Sequence, residues 1–214
     1  MASNIQLFNM DCMEAMAKMP DKAFELAIVD PPYGIGDRLV DGAGKDVMKK
    51  YKEQYYKKRW DIVPDASFFA ELRRVSINQI IWGGNYFDLP PTRGIICWDK
   101  KQMMPTFSRW EYAWSSFDKP AKMFEKHGND IDRTHVTQKP VKLYEWLLKN
   151  YAKPGDKILD THLGSGSIAI ACHNMGFALD GYELDKDYFE AAVKRLENHK
   201  RQGTLFEPKE IHGF

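Results

Sequence analysis

The sequence predicts an α/β domain built around a mostly parallel, twisted sheet flanked by helices. Three observations carry this. Short apolar runs alternate with amphipathic helical patterns along the chain. Two of those runs, Phe24–Val29 and Lys157–Leu159, reach an acidic residue and then a tight turn. The second turn is glycine-rich and opens a helix, as a strand–loop–helix unit requires.

In order, Ile5–Phe8 reads as a short strand and about Asp11 to Met19 as a helix that Pro20 closes. Phe24–Val29 is a buried strand, and the prolines after Asp30 forbid a further ladder. Residues 66–75 are expected to be helical. Gln79–Trp82, Ile95–Trp98 and Tyr112–Ser115 follow as core strands. Pro140–Tyr151 is an amphipathic helix with proline in its first turn. Lys157–Leu159 is a strand reaching Asp160, Ser165–Met175 a helix, Ala178–Glu183 a strand and Asp185–His199 a helix with Tyr188, Ala192 and Leu196 on one face. The last dozen residues lack periodicity and read as a loose tail.

The 214 residues suit a single domain spanning 1–214, with room for an appendage but not for a second full core. Hydrophobic residues at 43% and charged residues at 29% exclude disordered and fibrous classes. No apolar segment approaches the roughly 20 residues that cross a bilayer, so no membrane role is expected. The start lacks the basic-then-apolar pattern of a signal peptide. Cys12, Cys97 and Cys172 show no CxxC spacing and read as buried thiols in a reducing compartment. A cytoplasmic location is the expectation.

Net charge is only +1, from 31 basic and 30 acidic residues, which at face value argues against a nucleic-acid partner. The distribution says otherwise. Residues 34–59 lack apolar periodicity and set eight basic against four acidic residues, a balance of +4. They include Lys45, Lys49, Lys50, Lys57, Lys58 and Arg59, with Tyr51, Tyr55 and Tyr56 interleaved. Phosphate contact favours such a basic surface, and a long loop inside a compact domain is usually functional. Residues 100–126 carry +3 and form a second candidate, so the remaining chain carries −6. Recognition insertions are therefore expected at about 34–60 and, second, at 100–133.

Gly164, Gly166 and Ala169 match the G-x-G-x-x-G/A spacing between strand and helix, with Ser165 inside the turn. Glu183 ends the next strand 19 positions after Gly164, where an acidic side chain accepts ribose hydroxyls. Asp160 would repel a pyrophosphate but pair with an ammonium group. S-adenosylmethionine, a phosphate-free cation, is thus favoured over NAD. A plain packing turn with Asp160 as a helix cap is the alternative.

Asp30-Pro31-Pro32-Tyr33 stands at a strand's carboxyl end. Two prolines give the Asp30 carboxylate, the Pro31 carbonyl and the Tyr33 ring defined positions. Two acceptors beside an aromatic face suit a planar base with an exocyclic amine. A rigid turn with Tyr33 in the core is the alternative. Gly83-Gly84-Asn85-Tyr86 lines a pocket or makes an ordinary turn. His127, His135, His162 and His173 lack metal-ligand spacing, so no metal is expected. Trp82, Trp98 and Trp114 read as core.

Asp-Pro-Pro-Tyr together with the glycine loop resembles the S-adenosylmethionine-dependent DNA amino-methyltransferases that modify adenine N6 or cytosine N4. Catalytic turn first and glycine loop last is similar to their β group. His135-Val-Thr-Gln-Lys-Pro140 resembles the segment before the glycine loop in that group, and Asn9-Met-Asp11-Cys12 its first strand end. The likeness covers about residues 5–36, 79–116 and 133–198. Thr161-His162, Ser167-Ile168 and Val136 depart from the family's usual Pro-Phe, Thr-Thr and Pro.

The resemblance implies a Rossmann-like methyltransferase fold and methyl transfer from S-adenosylmethionine to adenine N6 in double-stranded DNA. Asp at the head of the motif is the form more typical of adenine enzymes. Asp30, Pro31, Pro32 and Tyr33 would be catalytic. Asp160 would lie near the methionine ammonium and Glu183 on the ribose. Asp11 and Cys12 would border the adenine, and Thr137 and Lys139 the methionine carboxylate. The enzyme would be a bacterial or phage-encoded methylase, in a restriction–modification pair or alone. Cytosine N4 or RNA adenine as acceptor and, more distantly, an NAD-linked oxidoreductase are the alternatives. So small a recognition element points to short target sites or to help from a second subunit, as in a homodimer.

Overall fold

The structure, a computed structural model, describes residues 4–35, 61–101, 108–127 and 138–206. Eight strands form one sheet: β1 (Ile5–Phe8), β2 (Phe24–Val29), β3 (Ser76–Trp82), β4 (Ile96–Asp99), β5 (Trp110–Ser115), β6 (Lys122–Glu125), β7 (Lys157–Asp160) and β8 (Ala178–Tyr182). Their order is β1-β8-β7-β2-β3-β5-β4-β6. All neighbours are parallel except at β5, which runs antiparallel to both β3 and β4. Every strand but β5 therefore ends at one edge of the sheet.

The central strands are apolar on both faces because both faces are covered. Leu26 and Ile28 of β2 pack with Ile80 and Trp82 against α3 (Val141–Tyr151) and α4 (Ser167–Met175). Ala27, Val29 and Ile81 pack on the other side with α1 (Cys12–Met16) and α2 (Ala66–Val75). Helix α5 (Lys186–Phe206) adds Ala192 and Leu196 to the first layer. Trp82, Trp98 and Trp114 are core residues, as expected.

This layering places the site. The chain leaves β2 for a helix on one face and leaves β7 for a helix on the other, and β2 and β7 are neighbours. Connections that diverge in this way open a crevice beyond the strand ends, the usual ligand position in open α/β sheets.

Several boundaries differ from expectation. The first helix is five residues, Cys12–Met16, with Asp11 as its cap. Strand β3 begins at Ser76, directly after α2 ends at Val75. Strand β6 was not anticipated: it is four residues long, lies at the sheet edge and is mostly exposed, so no alternation marks it. The described part of 100–133 contributes strands β5 and β6 to the sheet. Helix α5 runs to Phe206, so part of the expected tail is helical. No helix among the described residues is long and apolar enough to cross a membrane.

Candidate active site

A single cleft of about 2040 Å³ opens over the carboxyl edge and is lined by Asp30–Tyr33, Asp11, Cys12, Thr161–Ser165 and Glu183. The catalytic turn and the glycine loop thus face one space, although some 130 residues separate them in sequence.

The turn is tightly held. Tyr33 donates its hydroxyl to Asp30 Oδ1 at 2.5 Å, and Lys139 Nζ donates to Asp30 Oδ2 at 2.5 Å. The Tyr33 ring stacks on Tyr86 with centroids 4.9 Å apart and meets Phe87 edge-on. Gly83 is required beneath it: its φ is +71°, and a Cβ there would come within 2.2 Å of the Tyr33 ring. The Gly83–Tyr86 segment is therefore a pocket wall that fixes Tyr33. Burial, with the Asp30 charge beside it, holds the Tyr33 phenol well above its ordinary pKa, so it stays a donor.

The glycine loop is built to expose backbone. Gly164 has φ +51°, and a Cβ on it would meet only the His162 carbonyl, 3.9 Å away, which leaves the space above it open to a ligand. Gly166 serves packing instead, since a Cβ there would press on Ala192 of α5 at 3.0 Å. Arg195 of α5 ties the loop down, donating to the Ser165 carbonyl at 2.9 Å and the Ser167 hydroxyl at 2.8 Å. Glu183 accepts from the Gly164 amide at 2.8 Å and the Asp185 amide at 3.0 Å. Asp11 caps α1 by accepting from the Met13 amide at 2.7 Å. Burial, with Asp11 adjacent, pushes the Cys12 thiol up to about 12, so it is no nucleophile.

Asp160 is 2% exposed and lies behind the cleft surface, accepting from the His162 amide at 3.0 Å. Burial raises its carboxyl to about 8, with Asp30 and Glu183 adding to the effect against the His162 amide. His162 lines the cleft and is kept neutral, its pKa lowered to about 4 by burial. Sequence reasoning gave that residue no role.

Lys139, expected near the methionine carboxylate, lines the same cleft, where its ammonium joins Asp30 and, at 3.2 Å, Glu111. Glu111 went unmarked because it belongs to no local motif. Thr137, Lys45, Lys49, Lys50, Lys57, Lys58 and Arg59 lie outside the described residues. Of the second basic candidate, Lys100 pairs with Glu111 at 2.5 Å and Lys101 with Glu125 at 2.7 Å, two of the pairs already counted in its balance of +3.

Residues 43–194, more than half of the chain, match the DNA methylase family whose members act at N6 and N4 positions. YubD of Escherichia coli (strain K12), a chain provisionally named a methylase, is 23% identical over 209 residues, 87% of each chain. The type II methyltransferase M.HpaI of Haemophilus parainfluenzae is 35% identical over 70 residues, and that match spans 22% of its length. Among solved structures, M1.HpyAVI in complex with SAM superposes with a TM-score of 0.59 at 21% identity, covering 90% of this chain and 100% of that one. The cytosine-N4-specific PvuII DNA methyltransferase gives 0.62 at 12% identity, covering 96% and 94%. The structures share the Rossmann-like methyltransferase fold, and the family match assigns the chain: it belongs to the N6/N4 DNA methylases.

Proposed function

We propose that this chain transfers a methyl group from S-adenosylmethionine to the N6 amine of an adenine flipped out of DNA. The observation that carries this is the Asp30–Tyr33 turn at the β2 end, with Asp30 held by Tyr33 and Lys139, lining one cleft with a glycine loop whose backbone is open at Gly164. The cleft suits a cation: eight carboxylates and three lysines line it. Glu183 is placed to accept from hydroxyls in exchange for its present amide partners, and Asp160 to favour an ammonium by charge.

When bound, S-adenosylmethionine supplies the methyl group on a good leaving group. The protein must then improve a poor nucleophile, because the amine's lone pair is delocalised into the ring. Asp30 and the Pro31 carbonyl accept the two amine hydrogens, which localises that lone pair. They also face the positive charge that develops on nitrogen, a preorganised electrostatic stabilisation. Tyr33, pinned by Gly83 and Tyr86, stacks on the base once it leaves the duplex. The same acceptor pair serves the N4 amine of cytosine, and the PvuII enzyme, whose fold this chain shares, is cytosine-N4-specific.

Incubation with methyl-labelled cofactor and mixed-sequence DNA or RNA, followed by nucleoside mass analysis, tests the reading. N6-methyladenine from DNA is the expected product; N4-methylcytosine or an RNA product would redirect it. Asp30→Ala should lower transfer on the order of 10³-fold with cofactor binding largely intact, as single-turnover rates and calorimetry would report. Near-normal transfer by this variant would remove Asp30 from the chemistry.

A further inference from the structure

Because β5 runs against the other strands, it begins at the edge where they end. That reversal delivers Glu111 to the cleft. Its Oε1 lies 2.5 Å from Lys100 Nζ, and its Oε2, closed to solvent, lies 3.2 Å from Lys139 Nζ. Lys139 is 2% exposed and reaches Asp30 Oδ2 on its other side, with its ammonium 5.0 Å from the Trp82 ring. Carboxylate and ammonium thus alternate through Asp30, Lys139, Glu111 and Lys100. A buried ammonium on a long flexible stem needs partners on more than one side to hold one position and keep its charge. Here it lies on Asp30, and the second carboxylate closes its far side.

We propose that Glu111 is a positioning residue for the transfer step: from the far side it braces the Lys139 ammonium against Asp30 Oδ2 and so fixes the rotation of the Asp30 carboxylate toward the acceptor amine. This rests on the assignment of Asp30 as the amine's acceptor. The groups facing Lys139 are Asp30 from β2, Tyr33 from the turn at 3.5 Å, and Glu111 from β5 with Lys100 behind it. Asp160 of β7 acts at longer range, and Tyr144 of α3 faces the same carboxylates. Burial works against the charge on Lys139, yet Asp30 and Glu111 together raise its pKa above the usual lysine value. Glu111 is held below its usual value by Lys139 and Lys100 despite its burial.

Glu111→Gln keeps the shape and removes the charge, and Glu111→Asp keeps the charge on a shorter arm. Two measurements decide. In steady-state methylation across pH, Glu111→Gln should lower kcat about 10- to 100-fold, leave the cofactor KM within about twofold and move the alkaline limb to lower pH. Glu111→Asp should recover part of each. In cofactor-free protein, heteronuclear NMR of the lysine ammonium groups should show Lys139 titrating at lower pH in Glu111→Gln than in wild type. Unchanged kcat and pH profile in Glu111→Gln overturns the proposal, as does equal loss in both variants with an unmoved Lys139 titration. If wild type methylates no nucleic acid, the functional assignment fails by itself. The NMR comparison still reports on Glu111 and Lys139, and an unmoved titration there overturns their coupling.

Discussion

Asp160 couples the site to protons. In the free protein its raised pKa, about 8, keeps the carboxyl protonated at neutral pH, whereas a nearby ammonium and sulfonium favour the anion. Cofactor binding at pH 7 should therefore release roughly one proton, and affinity should rise with pH to a plateau near 8. Calorimetry in buffers of different ionisation enthalpy measures this directly; binding with no proton release would contradict it. The sign for folding is opposite to that of a salt-bridged carboxylate. The unfolded group ionises near its model value of 3.8 while the folded one keeps its proton to about 8, so stability falls as pH rises through that window. The slope is about 1.4 kcal/mol per pH unit. Asp160→Asn should remove the slope and stabilise the cofactor-free protein by a few kcal/mol at pH 7, on the order set by that slope, while weakening cofactor affinity. Thermal unfolding against pH tests both. Motif residues such as Asp30 and Tyr33 were legible in sequence because they stand three positions apart in one rigid turn and bond to each other. Glu111 was not, because only tertiary topology carries it to Lys139, and the Lys139–Asp30 pair, 109 residues apart in sequence, was unforeseen for the same reason.

Strands and helices were legible where burial is two-sided or amphipathic. Phe24–Val29, apolar on both faces, and residues 66–75, with Phe68, Phe69, Leu72 and Val75 on one side, have the expected limits. Strand β6 escaped because only Phe124 among its four residues is even partly buried, packing on Trp146. The start of β3 escaped because polar Ser76 and Asn78 interrupt the apolar run, although Ser76 is fully buried and donates to the Leu72 carbonyl. Helix α5 shows how a whole element serves the cleft. Ala192 allows it to touch Gly166, and Arg195 one turn on holds the loop backbone. Charged-donor hydrogen bonds of this kind are worth about 1.5–3 kcal/mol each. Arg195→Met should loosen the loop and weaken cofactor affinity about tenfold, with little change in kcat at saturating cofactor. Unaltered affinity would mean that the loop holds its shape without α5.

The net charge of +1 is the sum of segments of opposite sign. The cleft is acidic, with eight carboxylates against three lysines, which favours a cationic cofactor but repels phosphates. The nucleic-acid backbone must therefore be held outside it. Within residues 100–126, Lys100, Lys101 and Arg109 are engaged with Glu111, Glu125 and Asp99, which leaves Lys119, Lys122 and Lys126 to carry its excess charge. The segment 36–60 is better placed. Its flanks meet at the cleft: the Gly34 amide donates to Asp61 at 2.8 Å, and Val63 packs on Gly34 so closely that a Cβ there would overlap it at 2.4 Å. Changing Lys49, Lys50, Lys57 and Lys58 together to glutamine should weaken DNA binding at low salt and flatten the log–log salt dependence by up to roughly 3 to 4. Cofactor affinity should be untouched, since these changes leave the acidic cleft as it is. Binding titrations on duplex DNA over a range of salt concentrations read both slope and affinity. An unchanged slope would exclude the segment as the phosphate contact, and lost cofactor binding would show that it serves the cleft itself.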